Sequence, residues 1–157
     1  MFRVTPAFEL PVNLRMFSRM EADHLTPEKG NMTSPGSKHG SVLVVDDEEP
    51  VRSSLTVHMS DEGYDVMAAA TGQEAYALLR SNTFDLIILD WKLPDVSGDE
   101  ILRFVKDYYP ETKVIVITAY ANLMIGSTAR RDGVDEFLSK PYEVEDLLFT
   151  VDRMLSN

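Results

Sequence analysis

Apolar positions in this chain come in short unbroken runs, and the runs stop on polar residues. Val42-Leu43-Val44-Val45 ends at Asp46-Asp47, Leu86-Ile87-Ile88-Leu89 at Asp90, and Val114-Ile115-Val116-Ile117 at Thr118, while Phe137-Leu138 is followed by Ser139 and Lys140. Aliphatic and β-branched runs of this length, bounded by turn signals, predict parallel strands buried on both faces. Together with a less regular stretch they give strands over 42–45, 64–69, 84–89, 113–118 and 134–138. Amphipathic stretches between and after them predict helices over 48–61, 72–81, 98–108, 122–132 and 143–155. In the first of these, Val51, Leu55, Val57, His58 and Met59 fall near helical spacing; Val144, Leu147, Leu148, Val151 and Leu155 do so more clearly in the last. Glu143 and Glu145 suit that helix's positive N-terminal end, and Gly63 and Gly133 stand where a left-handed residue commonly closes a helix. Strand–helix alternation with short loops predicts an α/β fold with right-handed crossovers.

In an open α/β sheet the ligand site lies beyond the carboxyl ends of the strands. The carboxylates of Asp46, Asp47 and Asp90, the Thr118 hydroxyl and the Lys140 ammonium are therefore expected to converge, although far apart in sequence. Asp46-Asp47-Glu48-Glu49 puts four like charges in the first strand–helix turn, a conflict that a hard cation such as Mg²⁺ relieves. The plainer reading is an Asp cap with acidic first-turn residues. Asp90 ends the most apolar strand, where a solvated acid is least expected. A carboxylate there can bind a metal, attack a phosphorus centre, or both. Capping of the next helix fits it poorly, because Ser97 or Asp95 is better placed. Thr118 can donate to a phosphoryl oxygen or simply favour a strand end. Lys140 can balance the acids and pair with a phosphoryl group, and the Lys140-Pro141 step invites a tight, even cis, turn.

The remaining sequence bounds this picture. The 157 residues, 44% apolar, suffice for one domain with a proper core. There is no cysteine, hence no disulfide or thiolate metal site. No apolar run approaches the roughly 20 residues that span a bilayer, and no secretory leader is evident, so a cytoplasmic location with no membrane partner is expected. Of the formal charge of −11, residues 1–40 contribute +1 and residues 41–157 contribute −12. So acidic a domain repels the phosphate backbone, which argues against direct nucleic-acid binding. Residues 21–40 have linker composition. In residues 1–20, Phe8, Leu10, Val12, Leu14 and Met16 alternate with polar residues or proline, a pattern open to an edge strand limited by Pro11. The expectation adopted for 1–40 is an N-terminal extension, largely disordered, or a leader upstream of a true start at Met16, Met20 or Met32.

Residues 41–157 resemble the receiver domain of two-component response regulators. The resemblance rests on the acidic pair Asp46-Asp47 after the first strand, Asp90 after the third, Thr118 after the fourth and Lys140-Pro141 after the fifth. The loop Trp91-Lys92-Leu93-Pro94-Asp95-Val96-Ser97-Gly98 also matches the family's hydrophobic-Pro and Gly positions. It implies a flavodoxin-like, doubly wound five-stranded parallel sheet of order 2-1-3-4-5 with five helices in a three-layer sandwich. It further implies that Asp90 is the phosphoacceptor, served by a sensor histidine kinase or a histidine phosphotransfer protein. Mg²⁺ would be held by Asp47 and Asp90, with the Lys92 backbone carbonyl as a third ligand and Asp46 acting through water. Thr118 and Lys140 would bind phosphoryl oxygens, and Phe137 would be the switch aromatic that turns inward as Thr118 moves. Output would pass through the face of the fourth helix, fifth strand and fifth helix to a protein partner, with a phosphorylation-linked homodimer as one form. Lys92 and Tyr120 would border the path of attacking water, and the bulk of Tyr120 is expected to slow loss of the phosphoryl group.

The expected function is thus a stand-alone, non-enzymatic receiver that assists its own phosphorylation and dephosphorylation. The alternatives are a receiver fragment of a longer regulator, such as a transcription factor, and a scaffold that has lost phosphorylation. An aspartate-nucleophile phosphatase is disfavoured because Lys92 stands where that chemistry needs a second Asp.

Overall fold

The structure, a computed structural model, describes residues 39–121 and 132–156. Its elements are β1 (Ser41–Val45), α1 (Glu49–Asp61), β2 (Asp65–Ala69), α2 (Gly72–Ser81), β3 (Leu86–Asp90), α3 (Gly98–Tyr108), β4 (Lys113–Thr118), β5 (Glu136–Ser139) and α4 (Val144–Leu155). The five strands form one sheet of order β2-β1-β3-β4-β5 with every pairing parallel. Fold class and strand order are as the resemblance implies. Four helices are described; the fifth, expected over 122–132, falls almost wholly outside the described residues, as does the extension expected over 1–40.

The sheet is central because its sequence leaves no polar face. All five residues of β3 are buried, and β1 and β4 are buried except at their half-buried first residues, whereas the edge strands β2 and β5 are mostly half-buried. Alternation along each strand divides the core. Val42, Val44, Leu86, Ile88, Ile115 and Ile117 pack on one side with Leu55 and Met59 of α1 and Leu147 and Val151 of α4. The intervening positions, Leu43, Val45, Ile87, Leu89, Val114 and Val116, are buried too and point to the opposite side. The chain runs outward from β1 to β2 and then back across to β3. Right-handed crossovers therefore place α1 and α2 on opposite faces, which gives three layers. Tyr76 of α2 meets Phe104 of α3 edge-to-face at 5.0 Å and ties these two helices together. Each fully buried large aliphatic side chain contributes about 1.5–3 kcal/mol.

Two details differ from the sequence expectation. The ladder of β3 and β4 continues to the pair Asp90–Ile117, so β3 ends on Asp90, as its apolar run suggested, but spans Leu86–Asp90 and not 84–89. In α1, Leu55 and Met59 are buried but Val57 and His58 are exposed, because only the i, i+4 row faces the sheet. Gly63, just past α1, adopts φ +94°, the left-handed conformation its position calls for.

Candidate functional site

Four strand ends deliver the candidate residues to one rim. After β1, the Asp46 N–H donates to Ala69 O at 3.1 Å and Arg52 Nη1 donates to Asp46 O at 2.9 Å, which fixes the turn. Asp46 is only 2% exposed, and its Oδ1 accepts from Glu48 N at 2.8 Å. Asp47 and Glu48 are exposed beside it. These acids do not cap a helix: Glu48 is the N-cap residue of α1, and its side chain makes no capping bond. Nor does Asp90 cap α3, since Ser97 does so by accepting from Glu100 N. Asp95 does not cap α3 either; its carboxylate reaches the first turn of α2.

Asp90 is buried, with Oδ1 accepting from Lys92 N at 3.1 Å. Thr118 is buried as well, its Oγ1 accepting from Tyr120 N at 3.1 Å. The pairing of Thr118 with Ser139 and the bond from Lys140 N to Thr118 O, 3.0 Å, set Lys140 beside β4, and the Lys140–Pro141 peptide is cis. Its ammonium lies 3.0 Å from Asp90 Oδ2, 3.4 Å from Glu48 Oε1 and 3.6 Å from Asp46 Oδ2. A solvated surface lysine is thereby excluded. Asp47, Asp90, Lys92, Thr118 and Lys140 all line one cleft of about 480 Å³. A larger cleft of about 550 Å³, which shares Glu48 and Lys140 with it, is walled mainly by Pro50, Val51, Leu55, Pro141 and Tyr142 and holds none of the three aspartates. The convergent chemistry is in the smaller one.

Charge is unbalanced there. Burial, more than the neighbouring acids Asp90 and Glu48, pushes the Asp46 carboxyl above its ordinary value, and the Glu48 N–H and Lys140 only partly oppose it. Burial alone would lower the Lys140 pKa, but its bond to Asp90 and the charge of Asp46 outweigh that and raise it. One carboxylate oxygen from each of Asp46, Asp47, Glu48 and Asp90 can be chosen so that all lie within 4.8 Å of one another. The donor set is entirely hard oxygen, with one ammonium within 3.6 Å of three of these four acids, and this fits Mg²⁺ and not a soft metal.

A family model described as the response regulator receiver domain matches residues 42–152. The chain belongs to that family. This receiver is 37% identical over 107 residues to the transcriptional regulatory protein TrcR of Mycobacterium tuberculosis, covering 68% of this chain and 42% of that one. It is 35% identical to the response regulator protein PilR of Pseudomonas aeruginosa, covering 65% of this chain and 23% of the relative. It thus spans less than half the length of either. Among solved structures, chemotaxis response regulator CheY4 of Vibrio cholerae is similar at TM-score 0.69 and 32% identity, over 74% of this chain and 99% of that one. A CheY-like receiver from Methanospirillum hungatei reaches 0.70 and 34%, over 74% and 93%.

Of the residues singled out in the sequence, Phe137 is half-buried in β5, in register with Val116, and Tyr120 is 62% exposed. Glu48 was visible only as part of an acidic run, yet it shares Lys140 with Asp46 and Asp90. Arg52 was missed: six residues past Asp46, it binds a carbonyl that no sequence motif marks.

Proposed function

We propose that this receiver accepts a phosphoryl group on Asp90 from a histidine of a sensor kinase or phosphotransfer protein and signals through the conformational change that follows. One observation carries the reading: Lys140 bridges Asp90, Glu48 and Asp46 within 3.6 Å in a cleft also lined by Asp47 and Thr118. An Asp90 carboxylate oxygen attacks phosphorus, the P–N bond to the donor imidazole breaks, and the freed nitrogen takes a proton. Asp47, Asp90 and the Lys92 carbonyl would hold Mg²⁺, with Asp46 acting through water; bound there, the ion neutralises phosphoryl oxygen charge. Lys140 must exchange its carboxylate partners for a phosphoryl oxygen, and Thr118 supplies a second donor. Phosphoryl contacts made in only one of two conformations then bias the equilibrium, with Thr118 and Phe137 as the moving residues. Tyr120 shields the aspartyl phosphate from water.

A second reading, a receiver acting within a longer regulator, is favoured by the coverage of TrcR and PilR, 42% and 23%. Both readings share the same first step. Incubation with Mg²⁺ and acetyl phosphate, followed by intact mass measurement, should add one phosphoryl group to wild type and none to Asp90→Ala. An unmodified wild type, or an adduct that persists in Asp90→Ala, overturns the assignment.

A further inference from the structure

Asp95 stands at the exposed tip of the loop that follows Asp90, and its carboxylate does not face the cleft residues. Oδ1 accepts from Gly72 N at 2.8 Å and Oδ2 from Gln73 N at 3.0 Å, which are the first two amides of α2. The helix satisfies the third from its own sequence: Thr71 Oγ1 accepts from Glu74 N, and Glu74 Oε2 accepts in return from Ala70 N. That arrangement is like a capping box, except that Glu74 returns to the residue before the cap, Thr71, and it leaves the first two amides of the helix to Asp95. Beneath the carboxylate, Val96 is buried so close to Gly72 that a Cβ there would lie 2.7 Å from the valine side chain. Loop and helix are therefore clamped by two charge-assisted bonds and an apolar contact that only glycine permits.

The loop can transmit that clamp. Lys92 and Ser97 form an antiparallel bridge, and Gly98 N donates to Trp91 O at 3.1 Å, so the segment closes on itself. Fixing Asp95 fixes the path of Lys92, whose N–H already binds Asp90 Oδ1. We propose that Asp95 is a positioning residue that holds the Lys92 carbonyl in place for Mg²⁺ by bolting the loop after Asp90 to the first turn of α2. This rests on the Mg²⁺-dependent reading above. Groups that orient a metal ligand commonly matter by 10- to 100-fold in affinity, and because the loop keeps its other bonds the low end, about tenfold, is expected.

Trp91 is the chain's only tryptophan and follows Asp90 directly, so its fluorescence reports a MgCl₂ titration. Asp95→Ala should move the midpoint up about tenfold and slow phosphorylation by acetyl phosphate at low Mg²⁺, with recovery at saturating Mg²⁺. Asp95→Asn keeps an acceptor for Gly72 N but removes the charge, and it should stay within about threefold of wild type. Thermal melts in EDTA run alongside. A lower melting temperature with an unmoved Mg²⁺ midpoint would make Asp95 a helix cap and nothing more, and equal weakening in Asn and Ala would assign the effect to charge; either overturns the proposal. A wild type that gives no Mg²⁺ response fails before any substitution is made, and brings down the functional reading with it.

Discussion

The two rims of the sheet handle acidic residues in opposite ways. At the amino-terminal rim, Asp85 Oδ2 accepts from Ser41 N at 2.8 Å and Ser41 Oγ at 3.1 Å, and Asp135 Oδ2 accepts from Val114 N at 2.7 Å and Lys106 Nζ at 3.1 Å. Each carboxylate has donors of its own, and Lys106 also satisfies the Thr112 carbonyl. At the carboxyl-terminal rim, Asp46, Glu48 and Asp90 divide a single ammonium between them, and Asp47 stands in the same cluster. Acids that serve the fold receive donors from it. Asp46 and Asp90 each keep one backbone N–H as well, but four acids crowded into a partly buried cleft repel one another, and that crowding of like charge is what a bound cation can relieve.

The largest separation of the rims should come from their lysines. Lys140→Met removes the ammonium from the reacting cleft and should slow phosphorylation by acetyl phosphate about 100-fold, the usual scale for losing one charged donor at a transition state. Lys106→Met should leave that rate unchanged and lower stability by about 1 kcal/mol through the lost bonds to Thr112 and Asp135. Phosphorylation kinetics by mass spectrometry and urea unfolding of the two variants make the comparison. Equal rates would show that Lys140 is as structural as Lys106.

Mg²⁺ gives a smaller but more direct contrast. At ten times its dissociation constant, a ligand bound only by the folded state adds about 1.4 kcal/mol of stability. That gain should appear in wild type and in Asp85→Asn alike and shrink or vanish in Asp47→Asn, read as the shift in urea midpoint on adding MgCl₂. A gain retained by Asp47→Asn would remove Asp47 from the metal site.

Much of this was legible in the sequence because two signals agree there. Buried parallel strands must be apolar throughout, so β1, β3 and β4 stand out, and the polar residues that end those runs are by topology at one rim. Asp46, Asp47, Asp90, Thr118 and Lys140 were readable for that reason. The edge strands were less so, because β2 and β5 bury less; strand starts also came out later than the sequence indicates, β3 at Leu86 and not at residue 84 and β5 at Glu136 and not at residue 134. Contacts made through backbone atoms left no trace. Arg52 on the Asp46 carbonyl and Asp95 on the amides of Gly72 and Gln73 depend on where turns bring main-chain groups, which side-chain patterns do not encode. Ser97 was one of two candidates, with Asp95, for capping α3; that Asp95 would instead cap a helix 22 residues upstream was not foreseen.

The smallest expected difference lies in the response to acid, and its sign is definite. Burial raises the Asp46 carboxyl above its ordinary value of 3.8 in the folded protein. Between that value and the raised one the folded state holds more protons than the unfolded chain, so stability attributable to Asp46 falls as pH rises through the window and stays at its lower level above it. Lys140, raised above the ordinary lysine value, contributes stability that is lost only in strongly alkaline solution and does not oppose this trend in acid. Other carboxylates titrate in the same range, so the informative quantity is the difference between variants. In EDTA, the stability of Asp46→Asn relative to wild type should climb with pH across the window and then level off. Saturating Mg²⁺ favours ionised carboxylates and should flatten the Asp46→Asn curve. Parallel pH profiles for wild type and Asp46→Asn would mean that burial at this rim does not raise the Asp46 carboxyl.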